Sequence, residues 1–260
     1  MLHGVVPDAP DYFAGRAGDS PYQEGERIAP GTVLPKPVLA WYHLEVPPEP
    51  PIPFDYQILH VDDDLIVVDK PHFLPTTSNG RIVRETLQTR LRQDFGEDDI
   101  VPLHRLDRLT AGIVVCSRRA ATRAAYQRIF AERNIDKHYV AWCEGLVGSM
   151  TVELGMRRVR GARQVLVDAT GTPTVTHLRG IGKRVDLWPV TGHTHQLRVV
   201  MAHLGAPILG DDTYPVDRGL DLYDFSTPLQ LYARSLKFKD PFSGDRLQFM
   251  SSLTMPCMIK

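Results

Sequence analysis

Nine residues, His-Arg-Leu-Asp-Arg-Leu-Thr-Ala-Gly from His104 to Gly112, run straight into the apolar stretch Ile113 to Cys116. No other junction constrains the fold as much. Four largely β-branched positions read as a buried strand, so the charged turn must sit where that strand leaves the core. One carboxylate, Asp107, stands between Arg105 and Arg108. Nearby positive charge lowers a carboxylate's pKa by roughly 1 to 3, so Asp107 can stay ionised even when half buried, as a nucleophile must. Arginine and aspartate alternating in a turn also describe a solvated ion-pair cluster, and the charges alone leave both readings open.

The remaining periodicities predict an α+β fold. Ile58 to Val61 and Leu65 to Asp69 flank Asp62-Asp63-Asp64 as a hairpin that Lys70-Pro71 closes, and Ser78-Asn79-Gly80 is a turn. Glu85 to Phe95 carries Leu87, Leu91 and Phe95 on one helical face; Ala120 to Glu132 is a second helix with Ala121, Ala125 and Ile129 inward and Arg118, Arg119, Arg123 and Arg128 outward. Strands follow at Tyr139 to Cys143, Val152 to Leu154, Gln164 to Val167, Thr172 to Leu178 and Arg184 to Trp188. A short helix covers Gln196 to Leu204, and strands return around Leu229 to Lys237. The sum is a mixed, mainly antiparallel central sheet flanked by helices, spanning residues 56–260. Residues 1–55 are proline-rich and acidic and end in Val46-Pro47-Pro48-Glu49-Pro50-Pro51-Ile52-Pro53. They read as an extended arm, with Trp41, Tyr42 and Leu44 to pack it down.

The net charge of -1 hides an asymmetry: residues 66–207 hold 21 Lys+Arg against 13 Asp+Glu, while the flanks hold 9 against 18. A basic middle between acidic flanks fits a polyanionic partner. Arg157, Arg158, Arg160 and Arg163 around Gly161 suit a phosphate-gripping hairpin as well as they suit a solvated charge run. Cys116, Cys143 and Cys257 form no Cys-x-x-Cys pattern, which argues against a disulfide framework or a zinc ribbon. No apolar run approaches a membrane span, and the acidic N-terminal stretch matches neither a signal nor a transit peptide, so the expected setting is the cytoplasm.

Four landmarks together resemble the RluA family of pseudouridine synthases: Asp69-Lys70-Pro71, the nonamer His104 to Gly112, Lys137-His138-Tyr139-Val140-Ala141, and Gly192-His193-Thr194-His195-Gln196-Leu197-Arg198. The resemblance spans about Ile58 to Tyr214. It implies the pseudouridine synthase fold, with a catalytic groove across the sheet. The implied activity is the isomerisation of uridine to pseudouridine in ribosomal or transfer RNA, with no cofactor and no metal. Asp107 becomes the nucleophile, Arg198 the cation that grips it bidentately, and Tyr139 the ring stacked on the target uracil. Arg105 becomes the filler of the gap left by the everted nucleotide. His104, Arg108, Thr110, Lys70, His195, Gln196 and Leu197 are implied around the substrate. Three positions depart from the pattern: His193 where arginine is usual, Ala111 where serine is common, and Val200 where histidine often follows. The family's usual N-terminal RNA-binding domain is not recognisable in the proline-rich arm.

Two other function classes compete. His193, His195 and His203, with Asp211 and Asp212 beyond, contain a His-x-His pair that could serve a metal-dependent hydrolase, although no i, i+4 spacing unites them on one helical face. An RNA-binding module without catalysis is the second. A protein kinase is set aside, because its catalytic loop reads H-R-D-L and neither a glycine-rich phosphate cover nor D-F-G is present.

Overall fold

The computed structural model describes residues 1–16, 20–42, 48–78 and 80–254, which divide into two compact units, Met1–Pro48 and Glu49–Lys260. Leu44, Asn79 and Cys257 lie outside the described residues. The first unit is built of short strands rather than an extended arm. β1 (Leu2–Val5) pairs with β4 (Val33–Val38), and β2 (Tyr12–Ala14) lies between β3 (Arg27–Ile28) and β5 (Ala40–Tyr42). Prolines had argued against ladders here, but Pro35 and Pro37 fall on exposed positions of a two-stranded sheet, where Leu34 and Val38 face inward and the missing donors cost no pairing. The proline-rich connector also splits earlier than residue 55. Glu49 accepts the backbone N–H groups of Val83, Arg84 and Glu85, and Arg90 donates to the carbonyls of Ile52 and Phe54, which ties residues 49–54 into the second unit.

That unit carries one eleven-stranded sheet. Its strands are β6 (Gln57–Val61), β7 (Leu65–Lys70), β8 (Val101–Pro102), β9 (Ala111–Ser117), β10 (Ile135–Trp142), β11 (Ser149–Arg158), β12 (Val165–Val167), β13 (Thr172–Ile181), β14 (Arg184–Pro189), β15 (Leu231–Lys239) and β16 (Arg246–Met250). Their spatial order is β12-β11-β13-β14-β10-β15-β9-β7-β6, with β16 beside β15 and β8 beside β9. Every pairing is antiparallel except β9 with β15, so the sheet is mixed and mainly antiparallel as the periodicities required. Strand starts were harder to read: β10 begins at Ile135, ahead of the polar run Asp136-Lys137-His138, and β11 begins at Ser149 with three exposed residues before Val152.

Alternation along the two central strands explains the layers. Ile66, Val68, Val114 and Cys116 face α1 (Leu87–Phe95) through Leu87 and Leu91. Leu65, Val67, Ile113 and Val115 face α2 (Ala120–Ala131) through Tyr126 and Ile129. A third cluster forms under α3 (Gln196–His203), where Leu197, Val200 and Met201 meet Leu178 and Leu187. α3 is buried almost all round, polar Gln196 and Arg198 included. Thr86 caps α1 by accepting the Thr89 N–H, and Gly96 ends it at φ 65°. The arginines expected to face outward near α2 are largely neutralised: Arg118 pairs with Glu97, Arg119 with Asp64 and Arg123 with Asp99.

The final glycine of the nonamer is explained by packing. Gly112 is the second residue of β9, at φ 105°, opposite Lys70 on β7 and Ala233 on β15, and a Cβ there would lie 2.4 Å from the Ala233 carbonyl oxygen. We therefore expect Gly112→Ala to cost at least about 2 kcal/mol in urea unfolding, since backbone strain and a clash with backbone add.

Candidate active site

The loop between β8 and β9 brings Asp107 to the end of the two central strands, and every carbonyl from residue 106 to 109 has a donor. Thr76 Oγ1 donates to the Leu106 carbonyl at 2.8 Å and accepts the Leu106 N–H at 3.1 Å. The Thr110 N–H closes a turn onto the Asp107 carbonyl at 3.0 Å. Lys70 Nζ reaches the Arg108 carbonyl at 3.4 Å, together with those of Leu74 at 2.8 Å and Pro71 at 2.9 Å. His72 Nδ1 donates to the Leu109 carbonyl at 2.7 Å. Side chains from β7 and the segment after it therefore hold the backbone on both sides of Asp107 and leave its carboxylate free.

That carboxylate is 34% exposed, and His195 Nε2 lies 3.8 Å from its Oδ2. His195 caps α3 in the left-handed region at φ 57°, and its Nδ1 lies 3.1 Å from the Tyr214 hydroxyl. On β10, a bulge between His138 and Tyr139 interrupts the register with β15 and re-aims the tyrosine, which packs against two of the core clusters. Burial, joined by the negative charge of Asp107, pushes the Tyr139 phenol well above its ordinary pKa and keeps it neutral. Burial pulls the Lys70 ammonium down to about 7 against the opposing attraction of Asp107. Burial also lowers the His195 imidazole, again against Asp107.

Arg198 is 3% exposed and departs from expectation. Its bidentate partner is Asp211, with Nε to Oδ2 at 2.8 Å and Nη2 to Oδ1 at 2.5 Å; Nη2 also reaches Asp212 at 3.0 Å. Burial opposes the guanidinium charge, but the Asp211 hydrogen bonds and charge more than offset it, and Asp107 adds to the same field. The physical reason is solvation. A buried cation needs a permanent counter-charge, and a carboxylate that served in that way would have both oxygens occupied. Asp211 and Asp212, weighed above as metal ligands, are thus bound to arginine: Arg198 for both, and Arg163 for Asp212.

A model of the RNA pseudouridylate synthase family matches residues 64–203. The dual-specificity RNA pseudouridine synthase RluA of Salmonella typhi is 34% identical over 207 residues, covering 74% of this chain and 90% of that protein; RluA of Escherichia coli K12 is 34% identical over 209 residues with the same coverage. The chain belongs to the RluA family of RNA pseudouridine synthases. Its activity is the isomerisation of uridine to pseudouridine in RNA. The structure of human RNA pseudouridylate synthase domain containing 1 superposes with a TM-score of 0.62 at 26% identity, covering 78% of this chain and 85% of that one.

The family's motif residues divide by exposure. Asp107, Tyr139 and His195 are half-buried and Arg105 is exposed, so these can meet a substrate. Lys70, Thr110, Gln196 and Leu197 are buried. Gln196 spends its amide on Thr191, His193, Val175 and Thr176, and Leu197 is core. Arg108 donates to the carbonyls of Asp221 and Leu222 and lies over the Phe73 ring, which fixes a neighbouring loop. His104 stacks on Phe130 and accepts the Val115 N–H at 3.1 Å, so it braces β9. Sequence reasoning missed Thr76, His72 and Tyr214, whose partners lie 19 to 49 positions away and leave no local pattern.

Burial lowers His72 to about 4; burial, with Lys137, lowers His104 to about 3. In the unfolded chain both titrate near 6.5, so the unfolded state binds protons that the folded state refuses. Their contribution is complete above 6.5 and is lost as pH falls toward 3 to 4. Urea unfolding at pH 7 and pH 5 should show the wild type losing stability over that interval, and His104→Gln, whose amide oxygen can still accept the Val115 N–H, losing less.

Proposed function

We propose that Asp107 is the nucleophile acting on a uridine everted from structured RNA, ribosomal or transfer, in the cytoplasm. The reading rests on one observation: a carboxylate with both oxygens uncommitted, held by its backbone and set in the field of the buried Arg198 cation. The reaction breaks the bond from ribose C1′ to N1 and forms one from C1′ to C5. The C5 proton leaves and N1 gains one, so the product is an isomer and needs no redox partner. A carboxylate that attacks the sugar or base, or removes a proton from it, suffices.

Arg198, which never deprotonates, supplies positive potential at Asp107, and His195 turns its Nε2 toward the carboxylate. Eversion costs a few kcal/mol, and stacking on an aromatic ring returns about 1–3 kcal/mol per base; Tyr139 supplies that ring, while exposed Arg105 fills the vacated stack. In the β11–β12 hairpin Arg157 is bound to Asp168 and Arg163 to Asp212 and Asp217, which leaves exposed Arg158 and Arg160 for phosphates.

Asp107→Asn should reduce pseudouridine formation to background while RNA affinity and the unfolding midpoint stay unchanged; turnover above background would remove the assignment. Arg158→Glu with Arg160→Glu should flatten the salt dependence of RNA binding, by about 0.7–0.9 in logarithmic slope for each lost phosphate contact. An unchanged slope would place the RNA elsewhere.

A further inference from the structure

Tyr214 belongs to none of the motifs, yet its hydroxyl joins two parts of the molecule. The oxygen lies 2.6 Å from the Val165 backbone nitrogen at the start of β12 and 3.1 Å from His195 Nδ1. A backbone N–H can only donate, so the hydroxyl oxygen accepts from Val165. Its own proton then needs an acceptor, which His195 Nδ1 provides. An imidazole that accepts at Nδ1 carries its single proton on Nε2, and Nε2 is the nitrogen 3.8 Å from Asp107 Oδ2.

Resting on the reading of Asp107 as nucleophile, we propose that Tyr214 is a positioning residue for the reaction: its hydroxyl selects the His195 tautomer whose Nε2–H faces the Asp107 carboxylate. The surroundings hold each member in place. The His195 and Tyr214 rings meet edge to face, with centroids 5.6 Å apart and planes at 89°. The Arg198 guanidinium lies 5.4 Å from the centre of the Tyr214 ring, so one side chain contacts both groups that flank the carboxylate. Gln164 Nε2 donates to the Thr213 carbonyl at 2.6 Å and the Pro215 carbonyl at 3.1 Å, and Asp211 accepts the Tyr214 N–H at 2.9 Å; these bonds fix the ring's backbone from both sides. The opposite tautomer would set a proton on Nδ1 against a hydroxyl that finds no other acceptor for its own proton among the described residues, and would turn a lone pair toward a carboxylate.

Long-range proton–nitrogen NMR on the full chain labelled at histidine nitrogens reads the tautomer directly, without RNA. The expected spectrum shows His195 protonated at Nε2 alone, with that preference lost in Tyr214→Phe, which keeps the ring under Arg198. A wild-type His195 protonated at Nδ1 overturns the proposal. In turnover, Tyr214→Phe should lower kcat about tenfold, the rate equivalent of one hydrogen bond, with KM for RNA unchanged. In a His195→Gln background the same change should add nothing further, whereas equal losses in both backgrounds would overturn the relay. Full turnover by Asp107→Asn would take the proposal down with the nucleophile, but the tautomer would remain as described, so the two failures read differently.

Discussion

The buried pairing of Arg198 with Asp211 is the interaction on which the rest of the site depends. A guanidinium removed from water and left alone would cost several kcal/mol, and removing one partner of such a pair typically costs about 3–5 kcal/mol. Asp211 meets that demand and also accepts the N–H groups of Thr213 and Tyr214, so the loop after α3 takes one shape around the cation. From that loop follow the placement of Tyr214 and, through it, of His195. The positive wall of the site therefore stands before any RNA arrives. Asp107 is left as the one carboxylate of the group whose oxygens are not consumed by structure, and fixed charges cost no reorganisation when the reaction begins.

The opposite wall is built by different means. Lys70, His72 and Thr76 follow one another at the end of β7 and beyond, and each hydrogen-bonds a separate carbonyl of the 106–109 segment. Hydrogen bonds from buried side chains to backbone are costly to break, because each leaves an unpaired polar group behind. These bonds anchor the loop that carries Asp107 to the sheet it leaves. The parallel entry of β9 beside β15 brings Gly112 so close to Ala233 that no side chain fits between them. Backbone proximity and side-chain bracing together deliver one carboxylate to one place.

Much of this was legible in the chain. The α+β class, the mixed sheet and the three helices of the described residues follow from apolar periodicities, and the motifs that resemble the RluA family contain Asp107, Tyr139 and Arg198. The partner of Arg198 was not legible, because a salt bridge across 13 positions and a loop has no periodic signature. Asp211 and Asp212 were visible only as two adjacent acids. Lys70 and Gln196 stood in motifs and invited a substrate role; that both are buried and hydrogen-bonded to the protein's own groups was not legible there. The N-terminal strands were obscured by prolines, whose harmless placement on exposed ladder positions appears only in three dimensions.

The central claim is that the Arg198 cation is locked by Asp211 so that Asp107 is free to react. Asp211→Asn keeps the shape of that side chain and removes its charge, and single-turnover pseudouridine formation below the variant's unfolding temperature tests the claim most directly. A steep fall in rate, with RNA affinity at the wild-type value, is the result this account predicts. Wild-type turnover by the folded variant would contradict it.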